Sequence, residues 1–360
     1  MNKKAYLVLE NGAVFEGESF GATGSVLSEI VFSTGMTGYL ETLTDKSYFG
    51  QTVVQSFPLI GNYGVISEDF ESKDIAVSAY IVKHWCREPS NFRCEGDLDT
   101  FFKAKNVVGL CEIDTRALVK TLREHGTMNG MITTDLKNVD QKAIANYQIH
   151  NAVNSVTTRV KYVVPCMNAK YRVAVLDFGL KESIIHALTV AGCEVHVFPA
   201  HASALDILAI RPDGLLLTNG PGDPAENADI IQTLRALKAK KIPTFGIGLG
   251  HQLLALANGF STYKLKYGHR GASQPVRELA TGHIYVSSQN HGYAVASDSI
   301  DSQIAAISFT NLNDNSCEGI DYLDSPAFTI QFYPETCSGL QDTNSLFERF
   351  ISMMEGSKNA

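Results

Sequence analysis

Between residues 171 and 259, short apolar runs alternate with amphipathic helical patterns, and this alternation limits the possible folds more than any other feature of the sequence. The apolar runs show no polar alternation, which is typical of strands that are buried on both faces. Four such runs follow one another, namely YRVAVLDFG, EVHVFPA, GLLLTNG and IPTFGIG. Because helical patterns such as ADIIQTLRALKAKK separate them, we predict βαβ units and a largely parallel, helix-flanked sheet.

The part of the chain before residue 150 has a different, β-rich pattern. AYLVLENGAVFEGESF places two apolar runs around Asn11-Gly12, the strongest short signal for a β-hairpin. IDTRALVKTLREHG predicts a helix that ends at Gly126. We therefore predict an α/β fold with a β-rich N-terminal domain at 1–150, a linker at 151–170 and a second domain at 171–360. In the second domain, we expect shorter strands from HIYVSSQNHGYAV to AFTIQFYPE and a terminal helix in NSLFERFISMM.

Charge and composition exclude several classes of protein. The 360 residues carry a formal net charge of −8, whereas a nucleic-acid-binding protein is expected to have a clustered basic surface. No run of about 18 apolar residues predicts a membrane span, and the N-terminal MNKKAYLVLENG has no signal-peptide core, so we expect a cytoplasmic location. The seven cysteines include no CxxC pair, which argues against a zinc site or a disulfide framework. We expect reduced thiols and no bound metal.

The fourth apolar run continues into a glycine-dense turn, PTFGIGLGHQLLALANG, which three interpretations can explain. A dinucleotide-binding loop needs a third glycine where this chain has His251, and it belongs after the first strand rather than the fourth. A nucleophile elbow would place Gly248 at a strained apex and direct the Leu249 N–H at an oxyanion. Alternatively, the glycines only allow a helix to pack closely on a strand. The elbow is the better match.

Several motifs give this chain a resemblance to a known family. GIGLGHQ resembles the GxCxGHQ elbow of class I glutamine amidotransferases, and TNGPGDP, QNHGYAV and IQFYPE match three further blocks of that family in the same order. The N-terminal stretches VFSTGMTGYLETLTDKSYFGQTVVQSFPLIGNYGV and IDTRALVKTLREHGTMNGMI resemble the first domain of the carbamoyl phosphate synthetase small subunit. The resemblance covers nearly the whole chain, which is identified as a member of this family.

The resemblance implies a reaction, a partner and a set of residues. Members hydrolyse glutamine at a Cys-His-Glu triad, and the ammonia passes to a separate large subunit that uses ATP and Mg to make carbamoyl phosphate for pyrimidine and arginine biosynthesis. The first domain is expected to dock on that large subunit, and no cofactor is expected in this chain. By resemblance, glutamine would be held by Ser47, Gly220, Gly222, Leu249, Gln252, Asn290, Gly292 and Tyr293.

Two positions depart from the pattern of the family. Gly248 stands where the nucleophilic cysteine is expected, and Tyr333 stands where the histidine is expected, so that only Glu335 remains of the triad. Hydrolysis through a thioester needs a thiolate, and Gly248 has no side chain that could attack. A tyrosine with a pKa near 10 is a poor base at neutral pH. We therefore expect a glutaminase-deficient subunit, either in an ammonia-dependent complex or in a structural and regulatory role.

Two other interpretations stay open from the sequence. The chain could be a degenerate module that still binds glutamine without hydrolysing it. It could also be an active glutaminase with a different nucleophile, for which Cys337, two positions after Glu335, is the candidate. Cys337 would lack the geometry of the elbow, however. His251 is expected to have a structural role at the start of the helix.

Overall fold

The computed structural model describes residues 3–335 and 343–358. The chain divides into two compact units. The first unit comprises Met1–His150 together with the short segment Lys266–Gly271, and the second comprises Asn151–Leu265 and Ala272–Ala360. The first unit is therefore discontinuous in sequence, because it includes a segment that lies far along the chain. The range 151–170, which the sequence presents as a linker, lies in the second unit.

The first unit is built around a closed barrel. Its strands are β1 (Lys4–Leu9), β2 (Val14–Gly21), β3 (Val26–Ser33), β4 (Gln51–Ile60), β5 (Ala79–Trp85), β6 (Val108–Cys111) and β7 (Met128–Thr133), and its helices are α1 (Tyr39–Thr44), α2 (Leu98–Ala104), α3 (Thr115–His125) and α4 (Gln141–Ala145). The order around the barrel is β1-β2-β6-β5-β4-β3-β7. The hairpin predicted around Asn11-Gly12 is confirmed, because β1 and β2 pair antiparallel with Val8 opposite Val14.

The helix predicted from IDTRALVKTLREHG is confirmed as α3. The carboxylate of Asp114 accepts a hydrogen bond from the Ala117 N–H and caps the first turn. Leu118 and Leu122 are fully buried in the barrel unit. Gly126 ends the helix with φ of 103°, a conformation that favours glycine.

The distant segment Lys266–Gly271 is attached to the barrel unit by specific contacts. The Thr127 N–H, just before β7, donates to the carbonyl of Lys266 at 2.9 Å. The aromatic ring of Tyr267 packs against Phe32, with 6.0 Å between the ring centroids. A Cβ on Gly126 would lie 2.8 Å from the Lys266 carbonyl oxygen, so this glycine permits the close approach.

The second unit contains one large mixed sheet with helices on its faces. Its strands are β8 (Tyr162–Val164), β9 (Tyr171–Asp177), β10 (Cys193–Pro199), β11 (Gly214–Leu217), β12 (Thr244–Ile247), β13 (Thr262–Glu278), β14 (Ile284–Val295), β15 (Ala305–Asn311), β16 (Cys317–Tyr322) and β17 (Ala327–Ile330), although the middle of β13 belongs to the first unit. Its helices are α5 (Ala152–Val156), α6 (Glu182–Val190), α7 (Ala204–Ala209), α8 (Ala228–Lys238), α9 (Leu249–Ala257) and α10 (Ser345–Lys358).

The strand order of this sheet confirms the predicted α/β fold class. The order is β14-β13-β15-β16-β17-β12-β11-β9-β10-β8. The pairings from β17 through β12, β11 and β9 to β10 are parallel, whereas β8 and the strands on the far side of β17 pair antiparallel. The parallel part is thus the centre of the sheet, and it contains all four predicted apolar runs.

Burial on both faces explains why those runs lack polar alternation. Along β9, Ala174 and Leu176 belong to one hydrophobic cluster, whereas Val173 and Val175 belong to a second cluster. Successive residues of a strand point to opposite faces, so the two clusters lie on the two sides of the sheet. Among the described residues, no helix is long and apolar enough to cross a membrane.

The prediction of shorter strands after the turn is wrong for the first two of them. β13 has 17 residues and β14 has 12, whereas β15, β16 and β17 have 7, 6 and 4. The residues of β13 are mostly exposed or half-buried, without a sustained apolar alternation. A sequence pattern therefore had no periodic signal from which to infer this long strand.

Candidate functional site

The glycine-dense turn forms a sharp strand-to-helix bend. β12 ends at Ile247, α9 begins at Leu249, and Gly248 between them has φ of 57° and ψ of −111°. Such a backbone conformation is unfavourable for any residue with a Cβ. The Gly248 N–H donates to the Ile330 carbonyl at 2.9 Å, and the Gly250 N–H donates to the Thr218 carbonyl at 2.9 Å. These bonds fix the bend between the neighbouring strands β17 and β11.

The glycines on either side of the apex permit close packing. A Cβ on Gly246 would lie 2.7 Å from the Cγ2 of Thr329, and a Cβ on Gly250 would lie 2.4 Å from the Leu217 carbonyl oxygen. Close packing therefore accounts for Gly246 and Gly250. Packing alone does not explain the apex, where the positive φ of Gly248 is the geometry of an elbow.

The loop TNGPGDP, after β11, lies directly beside the elbow. A Cβ on Gly220 would lie 2.8 Å from the Cδ2 of Leu249, whose side chain is buried. Asn219 lies closest to the apex, because a Cβ on Gly248 would be 3.2 Å from the Asn219 Cβ. The Asn219 Nδ2 donates to the Gly179 carbonyl at 3.0 Å, which fixes this side chain. The structure thus brings the two predicted loops together at the carboxyl ends of their strands.

Gln252 lies on the first turns of α9 and has its amide group held by the protein. Its Nε2 donates to the Tyr293 carbonyl at 2.7 Å and to the Gln331 Oε1 at 2.8 Å. These bonds connect the helix to the predicted site strand β14, which carries Tyr293 and Asn290. The Nδ2 of Asn290 is buried and has no hydrogen-bond partner among the described residues.

The remaining predicted glutamine contacts are distributed between the two units. Gly292 lies on β14, and Gly222 lies in the loop after β11 with φ of 89°. Ser47 lies in the first unit, where its N–H donates to the Asp45 carboxylate at 2.8 Å. A direct contact of any of these residues with glutamine stays a prediction.

The two remaining triad positions follow β17. Tyr333 pairs with Ser288 of β14 through its N–H, which donates to the Ser288 carbonyl at 2.9 Å. Glu335 is buried, and its Oε1 accepts a hydrogen bond from the Nζ of Lys181 at 2.9 Å. The same Nζ lies 4.2 Å from the centroid of the Tyr333 ring. The carboxylate therefore has a lysine ammonium as a partner.

His251 is enclosed in the protein interior and does not belong to this cluster. Its side chain is fully buried in α9, and its Nδ1 lies 2.8 Å from the hydroxyl of Thr329. Burial lowers the pKa of His251 to about 3, so that the imidazole is neutral at physiological pH. These contacts are structural, as expected. The alternative nucleophile Cys337 lies outside the described residues.

Sequence reasoning missed three residues that contact the predicted site, namely Lys181, Asn219 and Gln331. Lys181 and Asn219 follow β9 and β11, and Gln331 follows β17. All three therefore lie just beyond the carboxyl end of a parallel strand, where ligand sites of such sheets occur. That position was a usable signal, although it did not indicate which partner each side chain would have.

Two family models together match most of the chain. The model for carbamoyl-phosphate synthase small chain, CPSase domain, matches residues 7–132, and the model for glutamine amidotransferase class-I matches residues 174–353. The carbamoyl phosphate synthase small chain of Clostridium perfringens is 45% identical over 350 residues, which cover 97% of this chain and 99% of that protein. The chain belongs to the carbamoyl phosphate synthase small chain family.

Other members of the family match over the same length. The carbamoyl phosphate synthase small chain of Lactococcus lactis subsp. cremoris is 44% identical and covers 99% of both chains. The pyrimidine-specific small chain of Halalkalibacterium halodurans is 44% identical and covers 99% of this chain and 98% of its own. A solved structure of a candidate GMP synthase component from Thermoplasma acidophilum is 19% identical, covers 52% of this chain and 96% of its own, and has a TM-score of 0.46, which is too low to carry an argument.

Membership of the carbamoyl phosphate synthase small chain family confirms the assignment made from the motifs. The barrel unit contains the residues matched by the small-chain model, and the unit with the elbow contains those matched by the amidotransferase model. In this member of the family, the elbow backbone is formed around a glycine, and a tyrosine lies beside a lysine next to Glu335.

Proposed function

We propose that this chain is the small subunit of a carbamoyl phosphate synthetase and that its own glutamine site does not release ammonia. The complex would then make carbamoyl phosphate from free ammonia, with the small chain in a structural or regulatory role. The observation that carries this proposal is an elbow with a glycine at its apex. The bend at Gly248 supports an amidotransferase origin, and the lack of a side chain there removes the nucleophile.

The chemistry of amide hydrolysis requires the groups that are replaced. A thiolate must attack the carboxamide carbon, and a base near neutral pH must take the thiol proton and return it to the leaving ammonia. Gly248 has no thiol, and Tyr333 is a phenol enclosed among hydrophobic side chains. The loss of one member of a triad can cost nearly as much activity as the loss of all. Two losses support a site without turnover.

A glycine also explains how the elbow can persist without its reaction. A cysteine at this apex would need a positive φ, at a cost of about 1–3 kcal/mol. Glycine adopts the same conformation without that steric cost. The bend at Gly248 is therefore compatible with a stable fold whether or not the site performs chemistry.

The partner that we propose is the large subunit of carbamoyl phosphate synthetase. The barrel unit supports this partner, because the small-chain model matches residues 7–132, which lie apart from the elbow in sequence. A permanent interface should bury more than about 2,000 Å² of surface. Size-exclusion chromatography with the large subunit of the same organism should give one complex at micromolar concentration, and separate elution would contradict the proposal.

Activity of the reconstituted complex tests the missing glutaminase. We expect carbamoyl phosphate from ammonium salts, bicarbonate and ATP, and no ammonia from glutamine above background. The Cys337→Ala variant is the matched control for an alternative nucleophile. Glutamine turnover that persists in a preparation free of contaminating glutaminase would refute the proposal, and its loss in Cys337→Ala would identify that thiol as the nucleophile.

A binding role for the same site is the second candidate. The buried Nδ2 of Asn290, which lacks a hydrogen-bond partner among the described residues, is a donor that a ligand could use. Calorimetry with glutamine tests this role, with glutamate as the comparison ligand and Asn290→Ala as the variant. Binding of glutamine that is weakened in Asn290→Ala would support a glutamine-responsive module, and no heat at millimolar glutamine would support a structural subunit.

A further inference from the structure

Three side chains at the far end of the candidate site form one buried ionic cluster. The Nζ of Lys181 lies 2.9 Å from the Glu335 Oε1, and the side chains of this pair are 6% and 1% exposed. The same Nζ lies 4.2 Å from the centroid of the Tyr333 ring, and Tyr333 is 5% exposed. One ammonium group therefore contacts both surviving side chains of the former triad positions.

The backbone holds each member of this cluster in place. The Asp177 carboxylate accepts hydrogen bonds from the N–H groups of Gly179 and Leu180 at 2.9 and 2.7 Å, and this turn sets Lys181 at the start of α6. Tyr333 is held on the opposite side by its backbone pairing with β14. The contact is thus formed by two segments that are 154 positions apart in sequence.

The energetics of buried charges make the two ions depend on each other. A carboxylate or an ammonium that is buried alone is strongly unfavourable, whereas a paired and hydrogen-bonded charge is tolerated. An aromatic ring adds a favourable interaction with a cation above its face. We propose that Lys181 is the structural counter-ion of Glu335 and holds Tyr333 beneath it, so that Glu335 is required by the fold independently of any catalytic base.

This inference goes beyond the proposed function, because it holds whether or not the site hydrolyses glutamine. It also changes what Glu335 indicates. A carboxylate retained after the loss of its catalytic partners would suggest residual chemistry, but here its removal would leave a buried lysine without its counter-ion. The presence of Glu335 is then a requirement of stability.

A double-mutant cycle on the full chain tests the proposal by thermal unfolding. Glu335→Gln and Lys181→Met should each lower the midpoint temperature by about 5–15 °C. The double variant should melt above the sum of the two losses, because it leaves neither ion unpaired. Additive losses, or a Glu335→Gln variant that melts like the parent, would overturn the proposal. If a single variant does not fold, folding of the double variant decides in favour and its failure decides against.

A matched control comes from an exposed pair in the same unit. Lys238 and Asp324 lie 2.7 Å apart with side chains that are 25% and 41% exposed. The variants Lys238→Met and Asp324→Asn should change the midpoint by less than about 2 °C each, because exposed pairs contribute little. A cycle at this pair with the same magnitude as the buried pair would show that the effect is not specific to burial.

The contact with the ring is tested separately. Tyr333→Phe keeps an aromatic face under the ammonium and should melt within about 2 °C of the parent, whereas Tyr333→Leu should melt about 2–5 °C lower. The loss in Tyr333→Leu should shrink in the Lys181→Met background. Equal losses in both backgrounds would show that the ring contributes only packing and would refute the role of Lys181 in holding Tyr333.

Discussion

At the residue scale, Gly248 determines both the conformation and the chemistry of the elbow. With φ of 57° and ψ of −111°, it lies outside the regions that residues with a Cβ adopt readily. A Cβ here would also approach the Asn219 Cβ to 3.2 Å, which is a tight contact. The same glycine that removes the nucleophile therefore relieves strain in the fold.

The strain at this apex can be measured with one substitution. We expect Gly248→Ala to lower the free energy of unfolding by about 1–3 kcal/mol, since alanine must adopt the unfavourable conformation. Gly259→Ala is the matched control, because Gly259 also has positive φ, 87°, but a Cβ there would meet nothing within 4 Å. Urea denaturation should show the larger loss in Gly248→Ala. Equal losses would assign the whole effect to φ and none to the crowded apex.

His251 should make the stability of the fold depend on pH. Burial lowers the pKa of His251 to about 3, whereas an unfolded histidine has a pKa near 6.5. Between these values only the unfolded chain binds the proton. The stability is therefore fully present above about pH 6.5 and decreases as the pH falls, by up to about 1.4 kcal/mol per pH unit for this group.

Urea denaturation at pH 7.5, 6.5 and 5.5 checks this dependence. His251→Gln should be less stable than the parent at pH 7.5, because it loses the contact with Thr329. Its stability should nevertheless fall less steeply below pH 6.5, since the titrating group is gone. His283→Gln, at an exposed position, is the control substitution. Parallel curves for the parent and His251→Gln would mean that this imidazole does not titrate on unfolding.

At the scale of elements, the elbow and the segment after β17 must act together for glutamine hydrolysis. Gly248→Cys alone should give little activity, because the thiol would lack a base, and Tyr333→His alone should give none. The double variant should regain hydrolysis if Glu335 and the pocket can support the imidazole. Gly248→Ala with Tyr333→His is the matched control, because it restores the base and adds a Cβ without a thiol.

Steady-state ammonia release from glutamine measures the restored site, with thermal melts of each variant alongside. The two substitutions should be strongly non-additive, as is typical of groups that act as a unit. A folded double variant without activity would locate further losses in the pocket or in its partner. Equal activity of Gly248→Cys and the double variant would show that position 333 does not supply the base.

The elements also differ in how far the sequence predicted them. The parallel strands, α3, the first hairpin and the elbow follow from local patterns, and the structure confirms them. The ion pair of Lys181 with Glu335 could not be read in this way, because its partners are 154 positions apart and nothing local selects them. The length of β13 was missed because its mostly exposed and half-buried residues carry no periodic signal.

At the scale of the whole molecule, the barrel unit depends on a segment from the middle of β13. Tyr267→Ala removes the ring that packs against Phe32 and should loosen this segment, since such aromatic contacts contribute about 0.5–1.5 kcal/mol. We expect amide hydrogen exchange at Thr127, which donates to the Lys266 carbonyl, to accelerate by up to about tenfold.

Tyr263→Ala is the matched control for this experiment. Tyr263 lies on the same strand but in the second unit, and it is 43% exposed. Exchange at Thr127 should stay at the parental rate in this variant. Equal acceleration in both variants would show that the segment is held by the strand as a whole and not by the contact of Tyr267 with Phe32.

The discontinuity of the barrel unit has a consequence for its synthesis on the ribosome. His150 is made more than a hundred residues before Lys266, and at roughly 5–20 residues per second this separation is a delay of about 6–20 s. During that interval, the carbonyl that accepts from the Thr127 N–H does not yet exist. The nascent barrel therefore emerges from the exit tunnel first and acquires its last segment only after most of the central parallel strands have been translated.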